Sequence, residues 1–331
     1  MPQIQHPFGT QATRLAEELL AVDQKILQQS TAQHYSMIIQ KLSGEQPVII
    51  NNEEMYLRSR YSYAMFLDYP DARVMPYLTE QVLQWVKPDQ VEIDPYTYTD
   101  AERSYTWQNL IVTIPGQTTP DEKILLTAHF DSIVVQGGDA LKYAPGADDN
   151  ATGTAVLLEA VRLFADESFE KTIEIIFFSG EEEGLNGSRA YLEDHSYDNI
   201  QAVINVDMIG FDSNNDHCME IHAGTNPDSQ IIGLVIQQVI IAYDIDLQSE
   251  LLSNTATDRS DHASFWARNV PAITVIENFF DTATSDVCAL PDPNPDYHQN
   301  EDTLANINIT YAHDISQAIL LTITQLAIPI E

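Results

Sequence analysis

Apolar positions along the chain fall into two regimes. Across residues 10–42, Leu15, Leu19, Leu20, Ile26 and Leu27 recur at helical spacing and predict one long helix ending near Ser43-Gly44. A tyrosine-rich stretch at 58–69 follows, then a second predicted helix at 71–85, which Pro88 closes. After Asn109 the texture changes. Short β-rich runs at 110–114, 124–128, 173–178, 202–206, 219–222 and 272–276 alternate with helical windows at 153–165, 188–193, 229–243, 262–268 and 309–326. That alternation predicts an α/β fold, a three-layer α/β/α sandwich around a mixed, mostly parallel sheet. No repeat or low-complexity linker interrupts the chain. Residues 1–100 therefore read as a helical N-terminal segment packed on a larger domain at 101–331, the two forming one compact unit.

Composition narrows the partners. Against 15 Lys and Arg stand 50 Asp and Glu, a formal charge of -35. Such a surface repels phosphate backbones and anionic lipid, which argues against nucleic-acid and membrane roles. It does not imply disorder, because 44% of residues are apolar and the apolar runs are periodic. Cys218 and Cys288 allow at most one bridge, and the sequence alone leaves its formation open. The apolar runs are of strand length, too short to span a bilayer. The opening residues MPQIQHPFGTQATR lack a basic region followed by an apolar one, so no secretory signal is read there.

Ligands of open α/β sheets bind at the carboxyl ends of strands. Here the run at 124–128 delivers His129-Phe130-Asp131-Ser132, and a Pro145-Gly146 turn delivers Asp148-Asp149-Asn150. The run at 173–178 delivers Ser179-Gly180 and then three glutamates, the run at 202–206 delivers Asp207, and a late proline-rich loop carries Tyr297-His298. Imidazoles with carboxylates make a nitrogen and oxygen donor set that suits Zn²⁺, with Co²⁺ or Mn²⁺ as substitutes. A carboxylate such as Asp149 can bridge two ions. A Glu-Glu pair at one strand end can supply both a ligand and a general base, since neighbouring side chains point differently.

Six segments in order, HFDS, APGADDNATG, SGEEEGL, NVDMIG, SDHASF and YHQNEDT, resemble the M28 family of zinc metallopeptidases, over most of residues 105–325. The resemblance implies two Zn²⁺ per chain, held by His129, Asp149, Asp207, Glu182 and His298, with Asp149 bridging. It implies Glu181 as general base on a metal-bound water, and Asp131 as hydrogen-bond partner of the far nitrogen of His129. It implies a cis peptide after Asp149. It also implies an aminopeptidase acting on peptides with a free N-terminus, a monomer, and an extracellular or periplasmic address. Aligned positions Met208, Ile276, Phe280 and Tyr297 would line an apolar first-residue pocket, while Arg259 there would favour an acidic residue. The family's cysteines before SDHASW have no counterpart at 253–259.

Rival readings are weaker. Asp148, Asn150, Thr152, Gly153 and Glu159 match EF-hand spacing, but Pro145-Gly146 stands where the entering helix belongs. The three glutamates could cap a helix, and Ser260-Asp261 could cap the one starting at His262. There is no Gly-x-Ser-x-Gly elbow and no glycine-rich phosphate loop. Within the same fold, a carboxypeptidase or dipeptidase, or a single-zinc transferase of the glutaminyl cyclase kind, are the alternatives.

Overall fold

The structure is a computed structural model that describes residues 21–69, 72–280, 287, 288 and 290–330. Within them the N-terminal segment forms α1 (Ala21–Gln29) and α2 (Ala32–Leu42), then a small hairpin of β1 (Val48–Ile50) and β2 (Glu53–Met55). It continues with α3 (Ser62–Phe66) and α4 (Val74–Val82). The single long helix expected over 10–42 is interrupted at Ser30. Thr31 starts a new helix by accepting a hydrogen bond from the His34 backbone N–H, the preference of a short hydroxyl side chain for the N-cap. Positions 10–20, with Leu15, Leu19 and Leu20, and Asp71 at the start of the second expected helix, lie outside the described residues.

One eight-stranded sheet organises the rest. Its strands are β3 (Val91–Thr99), β4 (Ser104–Ile114), β5 (Thr119–His129), β6 (Lys171–Phe178), β7 (Ile200–Val206), β8 (Cys218–His222), β9 (Gln248–Leu252) and β10 (Ala272–Glu277). They lie in the order β3-β4-β6-β5-β7-β10-β8-β9. The four central strands β6, β5, β7 and β10 are mutually parallel, and antiparallel pairings join β3 to β4, β4 to β6 and β8 to β10. The mixed, mostly parallel sheet expected from the alternating elements is present. Strand β3 belongs to this sheet although it arises within the first hundred residues.

Helices cover both faces. On one side lie α1, α2, α4, α5 (Gly153–Phe164), α7 (Pro227–Ala242) and α9 (Ile309–Ala327); on the other lie α6 (Asn186–Asp194) and α8 (His262–Trp266). This two-sided burial explains why β6 is apolar from Ile173 to Phe178 except at Glu174. Ile173, Ile175 and Phe177 enter the first core, while Ile176 and Phe178 enter the second, all fully buried. Burying such a side chain contributes about 1.5–3 kcal/mol. Because the central strands are parallel, their carboxyl ends share one edge. Strand β5 lies between β6 and β7, so successive crossovers leave it in opposite directions. That switch point opens a crevice just beyond His129. Among the described residues, no helix is long and apolar enough to cross a membrane.

Candidate metal centre

At this edge two triads form around a shared carboxylate: His129 with Asp149 and Asp207, and Asp149 with Glu182 and His298. His129 ends β5, Asp207 follows β7, Glu182 follows the glycine turn after β6, and His298 reaches in from the loop before α9. His129 Nε2 lies 3.1 Å from Asp207 Oδ1 and 3.3 Å from Asp149 Oδ1. His298 Nε2 lies 2.9 Å from Glu182 Oε2 and 3.1 Å from Asp149 Oδ2. Met208 and His298 both adopt left-handed backbone, at φ 50° and 58°, conformations that non-glycine residues tolerate mainly where surroundings enforce them. The Asp149-Asn150 peptide is cis, and Asn150 is held by Nδ2 donating to the Val206 carbonyl at 2.9 Å.

The donors fit a metal better than they fit one another. His298 Nε2 is buried at ion-pair distance from two carboxylates yet aligned for a hydrogen bond with neither, and Glu182 Oε1 is likewise buried without a partner. Side chains that converge on a common point without satisfying each other are what a cation between them would explain. On the far side of the His129 ring, Nδ1 lies 3.1 Å from the backbone carbonyl of Asp131, whereas the carboxylate is 3.7 Å away. The expected partner is thus the same residue through a different atom. The Asp131 carboxylate is engaged elsewhere, accepting from Ser62 Oγ at 3.1 Å and from the backbone N–H groups of Glu181 and Glu182 at 3.3 and 3.4 Å. A carbonyl accepts only, so Nδ1 carries a proton, and in the neutral ring Nε2 is the nitrogen whose lone pair can face a cation.

Electrostatics match a site short of positive charge. Burial, with Asp207 and Glu182 nearby, pushes the Glu181 carboxyl well above its usual range, and burial with Asp149 raises Glu182 to about 7. Burial works against a charged His298, but Asp149 and Glu182 outweigh it and hold the imidazole at about 10. A bound cation reverses this local field, favouring ionised carboxylates and neutral imidazoles.

Against the triads lies a cavity of about 50 Å³ lined by Met208, Ile276, Phe279, Phe280, Tyr297 and Arg259 together with Asp149, Glu181, Glu182 and Asp207. All five pocket residues named from the sequence meet there, and Phe279 joins them. Cys218 and Cys288 form a disulfide, tying the segment after Phe280 to the start of β8. Residues 281–286 lie outside those described.

Several contributors had no local signature. Thr127, Asn205 and Thr274 form a buried polar row across β5, β7 and β10; Asn205 also donates to Ser260 Oγ at 2.7 Å. The capping role expected for Ser260-Asp261 is not observed, since no side chain caps α8. The Asp261 carboxylate is instead fully buried behind the triads, raised to about 7 by burial. Nor is the 148–159 segment an EF-hand loop. Asp148 accepts from the Gly210 backbone and from Asn294, both at 2.8 Å, while Glu159 pairs with His34 and Arg162.

Comparison with known proteins agrees with this geometry. The profile of peptidase family M28 matches residues 109–323. Leucine aminopeptidase 1 of Ajellomyces capsulatus is 33% identical over 184 residues, 52% of this chain and 46% of that protein. The chain spans about half the length of the curated relatives it matches. The LapA aminopeptidase of Legionella pneumophila superimposes with a TM-score of 0.67 at 18% identity, covering 94% of this chain and 73% of that one. Glutaminyl cyclase of Porphyromonas gingivalis shares the fold with a TM-score of 0.65 at 16% identity, over 89% and 98% of the two chains. With the profile covering well over half of its length, the chain belongs to peptidase family M28.

Proposed function

We propose that this chain is a dizinc aminopeptidase that removes N-terminal residues, preferentially apolar ones, from peptides. The observation that carries the reading is the pair of triads sharing Asp149 directly beside a pocket that Met208, Ile276, Phe279 and Phe280 help to line. His129, Asp149 and Asp207 would hold one ion, and Asp149, Glu182 and His298 the other. Bound zinc would supply Lewis acidity, acidifying water and polarising the scissile carbonyl.

The remaining chemistry falls to the chain. Glu181 lines the pocket and stands outside both triads, and its carboxylate takes the proton of the attacking water and returns it to the leaving amine. Asp131 holds the Glu181-Glu182 turn through two backbone N–H groups, which fixes the base relative to the ligands. The surplus carboxylates attract the substrate's ammonium, restricting cleavage to chain ends. Met208, Ile276, Phe279 and Phe280 take up the first side chain and exclude water from it.

The same fold serves a glutaminyl cyclase, so the fold alone does not choose the reaction. Metal content by mass spectrometry, with hydrolysis of leucyl-peptide substrates before and after chelation, tests the reading. Two zincs per chain, with activity lost and restored in step, are expected. One zinc with cyclisation of N-terminal glutamine, or activity in metal-free protein, would overturn it.

A further inference from the structure

Arg60 is the largest fully buried side chain among the described residues, and the motifs that mark the centre do not include it. Its guanidinium donates to four backbone carbonyls: Nε to Phe130 at 2.7 Å, Nη1 to Leu42 at 2.7 Å and Pro145 at 2.6 Å, and Nη2 to Gly146 at 2.7 Å. Phe130 directly follows His129, and Pro145-Gly146 opens the turn that presents Asp149. One planar group therefore measures the spacing between the two turns that carry the shared ligand and its imidazole partner. All four acceptors are neutral, so the positive charge is not spent on a hydrogen-bonded carboxylate. Asp302, Asp149, Asp131 and Glu182 surround it through space.

The segment around Arg60 is built into the same crevice. Ser59 bridges to Ala144, and the Ala144 N–H donates to the Arg58 carbonyl at 2.9 Å. Ser62 reaches the Asp131 carboxylate. Gly146 makes the approach possible. At φ 48°, a Cβ there would fall 2.8 Å from Arg60 Nη2 and 2.2 Å from the Asp149 carbonyl oxygen.

We propose that Arg60 is a positioning residue of the metal centre. It clamps the His129 and Asp149 turns at a fixed spacing and supplies the resident positive charge that lets the acidic crevice form before metal arrives. Lysine would keep the charge but not the clamp, because a single ammonium lacks the fork that spans both turns. The inference rests on the reading that the crevice holds zinc.

The test uses the full chain with Arg60→Met and Arg60→Lys. Zinc affinity is measured by competition with a chromophoric chelator, beside circular dichroism and melting of the metal-free proteins. Supplying or orienting groups behind metal ligands typically changes affinity by about 10–100-fold. Zinc Kd is expected to weaken in that range for Arg60→Met and less for Arg60→Lys, in folded protein, with KM for a leucyl substrate at saturating zinc within about twofold. A folded Arg60→Met protein with unchanged zinc Kd would overturn the proposal, and so would failure of both variants to fold, which assigns Arg60 to the fold alone. Wild-type protein that binds no zinc would instead bring down the metal reading itself.

Discussion

His129 and His262 are equally buried, at 1% and 0% exposure, yet they sit in opposite environments. Burial disfavours charge on both. At His129, Asp207, Glu181, Asp131 and Asp149 outweigh burial and push the imidazole well above its ordinary value. At His262 nothing outweighs it, and the ring is driven down to about 3, with His222 adding to the effect. The partners of His262 are neutral: Nε2 lies 2.9 Å from the Thr257 carbonyl and the ring stands edge-on to Trp266, while Nδ1 is buried without a hydrogen-bond partner. Burial of a histidine therefore does not mark a ligand; uncompensated negative charge around it does. The crevice is held against its own electrostatics, as functional sites often are, while His262 beside it stays neutral.

The largest effect is expected at Glu181. Glu181→Gln should lower kcat roughly 10²–10⁴-fold, the usual worth of a general base, and leave metal content unchanged. In the metal-free protein the same change should not destabilise. The Glu181 carboxyl keeps its proton when folded over a pH range where the unfolded chain, near 4.5, has lost it. The folded state then binds more protons, so this group's contribution is full below pH 4.5 and fades as pH rises through the folded value. Wild-type metal-free protein should lose stability with rising pH more steeply than the variant in urea unfolding. A kcat within a few-fold of wild type would remove Glu181 from the role of base.

His262 should respond in the reverse sense. His262→Leu leaves the Thr257 carbonyl unpaired and should cost about 1–3 kcal/mol in urea unfolding, with kcat nearly unchanged. Here the folded value lies below the unfolded one of 6.5, so the unfolded chain binds more protons in between. Stability from this group is present above 6.5 and is lost as pH falls toward 3. The variant should lack that acid sensitivity. A variant as stable as wild type but catalytically impaired would erase the distinction between the two regions.

What could be read from the sequence follows the same division. The runs at 124–128, 173–178 and 202–206 within β5, β6 and β7 are largely apolar and buried on both faces, and His129, Glu181 and Asp207 follow them within three residues, so both their course and the active residues after them were visible. Strand β3 was missed because it is an edge strand whose residues are mostly exposed, with Glu92, Asp94 and Pro95 interrupting any alternation. The break at Ser30 was missed because no proline or glycine marks it. Arg60, Asp261 and the Thr127-Asn205-Thr274 row belong to the site only through tertiary contacts, and no spacing rule reports those. The bridge between Cys218 and Cys288 spans 70 residues, a tertiary contact that no local spacing reports.

Arg259 lies where the two regions meet, and it offers the smallest test. It is exposed at the pocket rim with its guanidinium 5.8 Å from the centre of the Phe280 ring, a cation facing a crevice of carboxylates. A leucyl side chain would touch only its carbon stem, whereas a glutamyl side chain would bring a carboxylate to the charged end. Exposed charge pairs contribute about 1 kcal/mol at most, so Arg259→Met should raise KM for a glutamyl substrate no more than about fivefold and leave the leucyl value unchanged. The glutamyl effect should shrink with added salt, because the charges are screened. Equal changes for both substrates would make Arg259 part of the packing around Phe280. A selective change would show that the pocket reads charge at its rim.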